Sequence, residues 1–283
     1  MIIEILKACF FGIVEGITEW LPISSTGHLI LVEQFVKFTK VSPEFWQMFE
    51  VVIQLGAILA VVLLYWNKIW PITTKKENAI KKTGILSYFD KNIMTLWSKI
   101  LVACIPAAVI GLLFDEVFEA LFYNPVCIAI ALIVFGIAFI LIENWNKNRT
   151  SSKEKNSEIT YKDAIIIGMF QLLAAIFPGT SRSGATIIGG LLIGLSRPNA
   201  AEFTFYLAIP TMLGASLLKL VKFGLAFTGI EIAVLLVGML VSFLVSVIVI
   251  KFLMDYIKKH DFKVFGYYRI ILGIIVLAYF ALI

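Results

Sequence analysis

Residues 120–142 hold no Asp, Glu, Lys, Arg or His. About 20 apolar residues span a bilayer as a helix, which satisfies every backbone group internally, so this run reads as a membrane crossing. The rest of the chain agrees. Of its 283 residues, 60% are hydrophobic and 15% charged, with a mean hydropathy of +0.95. A soluble domain is roughly 45–50% apolar and about 25% charged. That contrast excludes a typical soluble enzyme, a disordered chain and a coiled coil. Five further crossings are expected at about 50–67, 98–114, 203–221, 230–250 and 267–283. Cys9, Cys104 and Cys127 lie in apolar stretches without metal or disulfide spacing and read as packing residues. Glu4, Glu15 and Glu19 argue against a cleavable signal peptide in the first twenty residues.

Two apolar stretches do not read as simple crossings. Residues 3–32 are broken by Pro22 and a run of Ser, Thr, Gly and His, and residues 164–195 by Pro178, Gly179 and Arg182. Each predicts an arm of about 15–18 residues, a polar turn and a second arm of about 10–13, too short to span twice. Both are expected to be re-entrant, with the turn inside protein or facing water. The expected fold is an all-α polytopic membrane protein, residues 1–283 forming one integral membrane domain, with six transmembrane helices plus two re-entrant helical hairpins.

Lysine and arginine set the expected orientation. Segment 68–99 holds seven lysines, 143–162 holds Lys147, Arg149, Lys153, Lys155 and Lys162, and 251–269 holds Lys251, Lys258, Lys259, Lys263 and Arg269. Segment 115–121 carries only Asp115, Glu116 and Glu119. With the three basic loops inside and the acidic one outside, the topology closes with both termini outside; Lys219 and Lys222 dissent on the outer side. The net charge of +5 follows from these loops and does not call for nucleic acid as a partner.

A shift of 156 residues aligns the two broken segments: Ala8 with Ala164, Gly12 with Gly168, Glu15 with Gln171, Pro22 with Pro178 and Ser25 with Ser181, then Phe49 with Phe205 and Ile53 with Ile209. Three crossings separate the copies, so they are expected to be inverted, with cores at 1–66 and 163–221. Inverted repeats of broken helices place their sites near the midplane, where the breaks meet.

The breaks carry the chemistry. Glu15 and Glu19, four apart, share a helix face, and two carboxylates at bilayer depth call for a cation, a basic partner or a shared proton. Ser24, Ser25, Thr26, Gly27 and His28 follow at once. In the second copy, Gly179, Thr180, Ser181, Arg182, Ser183, Gly184 and Thr186 supply hydroxyls, a guanidinium and the unpaired amides of a helix start, all suited to phosphate oxygens. In the alignment Glu19 faces Ala175, Thr26 faces Arg182 and His28 faces Gly184. Acid and base groups thus stay in one copy and the cation in the other, the division that phosphoryl hydrolysis needs.

Taken together, Glu15-x-x-x-Glu19 with Ser24-Ser-Thr-Gly-His28 and Pro178-Gly-Thr-Ser-Arg-Ser183 resemble the motifs of the bacterial undecaprenyl-diphosphate phosphatase, or bacitracin-resistance, family, over essentially the whole chain. The resemblance implies a multi-pass enzyme of the bacterial inner (cell) membrane that removes one phosphate from a C55 prenyl diphosphate lipid, recycling the cell-wall carrier. It also implies an outward-opening site, a divalent cation (Mg²⁺ or Ca²⁺) and a homodimer. On this reading Arg182 and the groups of 180–186 hold phosphate, Glu15 and Glu19 bind the cation or relay protons, and Ser25, His28 or water attacks, with Glu19 or His28 as base. A lipid-phosphate flippase or anion transporter could use the same pocket.

Overall fold

The computed structural model describes residues 1–74, 77–81, 83–147, 149–224 and 226–282, apart from the side chains of Asp115 and Glu119. All regular elements longer than a single turn are helices: α1 (Ile2–Thr18), α2 (Ser25–Phe35), α3 (Pro43–Val52), α4 (Gln54–Ile69), α5 (Lys91–Phe122), α6 (Pro125–Asn146), α7 (Tyr161–Ile176), α8 (Arg182–Leu192), α9 (Arg197–Phe223), α10 (Gly229–Ile257) and α11 (Lys263–Leu282). Local chemistry fixes many of their starts. Ser42 and Asn124 cap helices that open with Pro43 and Pro125, and Thr160 with Asp163 and Thr228 with Glu231 form capping boxes.

Among the described residues, six helical segments are long and apolar enough to cross a membrane: Pro43–Ile69, Lys91–Phe114, Pro125–Asn146, Arg197–Phe223, Gly229–Ile257 and Lys263–Leu282. They coincide with the six expected crossings. Two boundaries differ. The acidic stretch 115–121 is the last part of α5 rather than a loop, because Glu, Ala, Leu and Phe sustain a helix beyond the point where hydropathy falls. Arg269, expected in a basic loop, lies well inside α11. Of the basic segment 68–99, Lys75, Lys76 and Lys82 lie outside the described residues.

The broken segments are helical hairpins, α1/α2 and α7/α8. Their arms of 17 and 11, and of 16 and 11, residues are each shorter than a full crossing at 1.5 Å per residue. The pairings are crossed: α1 packs along α10 and α7 along α5, while α6 lies along α11. Small residues permit the close crossings. A Cβ on Gly12 would come within 2.6 Å of the Gly238 carbonyl oxygen, and one on its aligned mate Gly168 within 2.4 Å of that of Ala103.

Charged contacts gather the basic segments at one end of the bundle. Glu202, in the first turns of α9, accepts from Lys68 at 2.7 Å and from Asn156 at 2.9 Å. Glu143, buried at the end of α6, is held in a fork by Arg197 and also accepts from the Phe262 amide at 3.0 Å. At the other end Glu231 accepts from Ser42, and Glu50 from Tyr123.

Candidate active site

Both helix breaks turn on a serine. Ser24 (φ 76°) and Ser181 (φ 69°) are the only non-glycine residues with positive φ among those described. This left-handed backbone costs on the order of 1–3 kcal/mol and persists only where its surroundings enforce it. Each serine caps the helix after it: Ser24 Oγ accepts from the Gly27 amide at 3.3 Å, and Ser181 Oγ from the Gly184 amide at 3.1 Å. The geometry therefore equates Ser24, not Ser25, with Ser181. The second turn holds one more residue between its proline and its capping serine, which a constant shift of 156 cannot accommodate.

The turns meet on Glu19, which is buried just past the end of α1. Its Oε2 accepts from Ser25 Oγ at 2.7 Å, and its Oε1 accepts from Arg182 Nη2 at 2.8 Å. Ser183 Oγ donates to the Glu19 carbonyl at 3.0 Å. The second Arg182 nitrogen, Nη1, donates to the Thr204 carbonyl at 3.1 Å, which ties the guanidinium to α9. Thr186 Oγ1 lies 2.9 Å from Thr204 Oγ1 and also bonds the Arg182 carbonyl, so its hydroxyl supports the start of α8.

A cavity of about 150 Å³ opens over this junction. Glu19, Ser24, Ser25, Thr26, Gly179, Ser181 and Arg182 line it, with Gln54, Ala174 and Pro178 and with Thr211, Met212 and Ala215 of α9. Among the described residues, several buried polar atoms near the breaks have no hydrogen-bond partner: both carboxylate oxygens of Glu15, Oγ1 of Thr180, Nε of Arg182 and Nε2 of Gln171. Buried orphans are rare because each costs about 1–3 kcal/mol, so several of them around one junction are a signature of a binding site. Three are donors suited to an anion; the fourth group is a carboxylate suited to a cation or a proton.

His28 stands apart. Its Nδ1 lies 2.7 Å from the Ser24 carbonyl and its Nε2 2.6 Å from Tyr268 Oη, with the two rings stacked. Since a carbonyl only accepts, Nδ1 carries the proton there and Nε2 faces the tyrosine hydroxyl. His28 is thus on α2 beside the site without lining the cavity.

The sequence reading missed Arg269. It is fully buried. Its Nη1 donates to the Pro22 carbonyl at 3.2 Å, and its Nη2 to the carbonyls of Gly179 and Thr180 at 2.9 and 2.7 Å. One guanidinium from α11 thereby fastens the two turns to each other. The carbonyls need it as much as it needs them, since breaking a helix frees backbone acceptors that lipid cannot satisfy. The local sequence offers one signal, a cation surrounded by Tyr267, Tyr268 and Ile270 in an otherwise apolar helix.

For a divalent cation, the orphaned Glu15 carboxylate one turn from Glu19 provides hard oxygen donors. Among the described residues no group of three or more His, Cys, Asp or Glu side chains could close a metal cage. Any cation here would draw on Glu15 and Glu19, the latter already bonded by Ser25 and Arg182, and would take its remaining ligands from phosphate oxygens.

Among the described residues, six helices long and apolar enough to cross a membrane and two helical hairpins, whose capped turns enclose a carboxylate, a hydroxyl and a guanidinium, define a multi-pass membrane protein with a polar site buried among its helices. The chain belongs to the family described as bacitracin resistance protein BacA, which matches residues 8–275. It is 62% identical over 280 residues to the undecaprenyl-diphosphatase of Desulfitobacterium hafniense, covering 99% of this chain and 97% of that one. It is 59% identical to undecaprenyl-diphosphatase 1 of Clostridium acetobutylicum, over 99% of both chains. It is also 59% identical to an undecaprenyl-diphosphatase of Enterococcus faecalis, over 97% and 96% of the two chains.

Proposed function

We propose that this chain hydrolyses undecaprenyl diphosphate to the prenyl monophosphate and inorganic phosphate, with Ser25 as nucleophile and Glu19 as its base. The observation that carries this is the short bond from Ser25 Oγ to Glu19 Oε2 in a cavity that Arg182 also lines. Ser25 Oγ attacks the terminal phosphorus as its proton passes to Glu19. The bond from that phosphorus to the bridging oxygen breaks, and the prenyl monophosphate leaves with the electron pair. Glu19 passes that proton to the departing monophosphate and, as a carboxylate again, takes a proton from a water that attacks the phosphoserine; the phosphorus–Oγ bond breaks, Ser25 regains a proton from Glu19, and inorganic phosphate is released. Arg182, the Thr180 hydroxyl and the first amides of α8 offset charge on the equatorial oxygens. A bound Mg²⁺ or Ca²⁺, held by Glu15 and Glu19, would neutralise phosphate charge further.

We take the hairpins to be re-entrant and the site to open outward. Supporting this, an adjoining cavity that shares Thr26, Gln54, Ala174 and Pro178 with the first is lined by Phe118, Tyr123 and Lys219, at the ends of α5 and α9 away from the basic segments. The homodimer remains part of the same proposal. Phosphate release from undecaprenyl diphosphate by pure protein in detergent is the test. Release without any gradient is expected, and a protein that transports lipid phosphate without hydrolysing it shows none. No release with any divalent cation overturns the reading.

A further inference from the structure

The cavity over Glu19 does not end at the catalytic groups. It adjoins a second cavity of about 210 Å³, and the two share Thr26, Gln54, Ala174 and Pro178 as a common neck. The phosphate under attack has to reach Ser25 and Arg182. The phosphate across the bridging oxygen, which keeps the prenyl chain, must then lie toward the neck. We propose that the neck and outer cavity form a subsite for this second phosphate, with Gln54 as its positioning residue. The proposal rests on the phosphatase reading and adds to it a site for the group that stays on the lipid.

Three observations carry it. Gln54 lines both cavities, where the chain breaks between α3 and α4 at Ile53. Its amide is half-buried and makes no hydrogen bond among the described residues, so its two N–H donors are available to a ligand's acceptor oxygens. The outer cavity also holds a cation: Lys219 of α9 lines it, one turn beyond Ala215 of the inner cavity, and makes no ion pair within 4.0 Å among the described residues. Glu50 faces the same space and accepts from Tyr123. A neutral amide at the neck can donate to a phosphate oxygen without being captured by Glu19 or Glu50, as a cation there would be.

The test is inhibition of phosphate release by each product in turn. Prenyl monophosphate carries the group assigned to this subsite, whereas inorganic phosphate belongs to the inner cavity. In Gln54→Leu, the inhibition constant for prenyl monophosphate and the KM for the diphosphate are expected to rise about tenfold, the scale of one hydrogen bond to a charged group, with that for inorganic phosphate unchanged. Gln54→Glu, which can only accept and adds negative charge, is expected to be worse than Leu; a purely structural glutamine predicts the reverse order. If Leu melts early, Gln54→Asn keeps the amide one methylene short and is expected to raise the same constants about threefold. A prenyl monophosphate constant within twofold of wild type in the folded variant, or an equal loss for both products, overturns the subsite. A wild-type protein that releases no phosphate overturns the phosphatase reading and this inference together. An active enzyme insensitive to Gln54 overturns the subsite alone.

Discussion

Ser25 and Arg182 hold the same place in the two hairpins: each is the first residue of the helix after the break, and each bonds one oxygen of Glu19. A scaffold of two similar turns thus presents a hydroxyl from one side and a guanidinium from the other to a single carboxylate. Ser25→Ala removes the proposed attacking atom without touching the Glu19–Arg182 pair. Turnover is expected to fall by at least about 10³-fold while thermal melting stays near wild type, the pattern of a lost nucleophile. His28→Asn, which disturbs the ring's contacts with Tyr268 and the Ser24 carbonyl but leaves the Ser25–Glu19 bond in place, is expected to keep turnover within about tenfold. The opposite ranking in phosphate-release assays makes His28 the nucleophile.

Glu19→Gln retains size and one acceptor but cannot take the Ser25 proton or balance Arg182. A loss of about 10²–10⁴-fold in turnover is expected. Glu15→Gln should be milder, because neither oxygen of Glu15 accepts a hydrogen bond among the described residues and its aligned mate is already Gln171. Equal effects in the two variants, measured at saturating divalent cation, contradict a proton-transfer role confined to Glu19.

Arg182→Lys separates a phosphate clamp from a simple counter-ion. A lysine could still neutralise Glu19. It cannot also reach the Thr204 carbonyl in a planar fork and leave a third N–H for phosphate. Turnover at least about tenfold lower with a normal melting curve is expected, and Arg182→Ala lower still. A lysine variant with wild-type turnover leaves Arg182 as a structural partner of Glu19 only.

Arg269→Met tests the fastening of the turns. It leaves the carbonyls of Pro22, Gly179 and Thr180 buried without a donor, each costing about 1–3 kcal/mol. A melting temperature lowered by several degrees is expected, with activity lost even where the protein remains folded. Because Arg269 touches no reacting atom, a variant that melts normally and turns over normally removes it from the assembly of the site.

The orientation is tested by thiol labelling in a protein lacking Cys9, Cys104 and Cys127. Glu116→Cys is expected to react from outside intact cells, and Lys81→Cys only after permeabilisation. The reverse pattern inverts the topology and turns the cavity mouth inward.

Much of this was legible in the chain because hydropathy and helix breakers are local signals. The six candidate crossings, both broken segments, and the choice of Glu19, Ser25 and Arg182, which the structure brings together, all rest on residues within one segment or its repeat mate. The register of the turns was not, because equating Ser24 with Ser181 depends on a positive φ that no residue type announces. Arg269 was hidden for a different reason: its partners lie 247 and about 90 positions away in the chain, and at the end of a lysine run it resembles a loop cation. Helix ends were misplaced wherever propensity outlasts apolarity, as in residues 115–121 of α5.

The close crossing of Gly12 with Gly238 sets a timetable for biogenesis. α1 packs along α10, which follows it late in the chain, and no Cβ-bearing residue could stand at Gly12 with the Gly238 carbonyl at the same distance. At roughly 5–20 residues per second, α1 waits on the order of ten to forty-five seconds for α10. Throughout that interval its carboxylates and the small-residue face of Gly12 and Gly16 stand without their final cover. Changes that slow synthesis between α1 and α10 are therefore expected to lower yield without altering the finished protein.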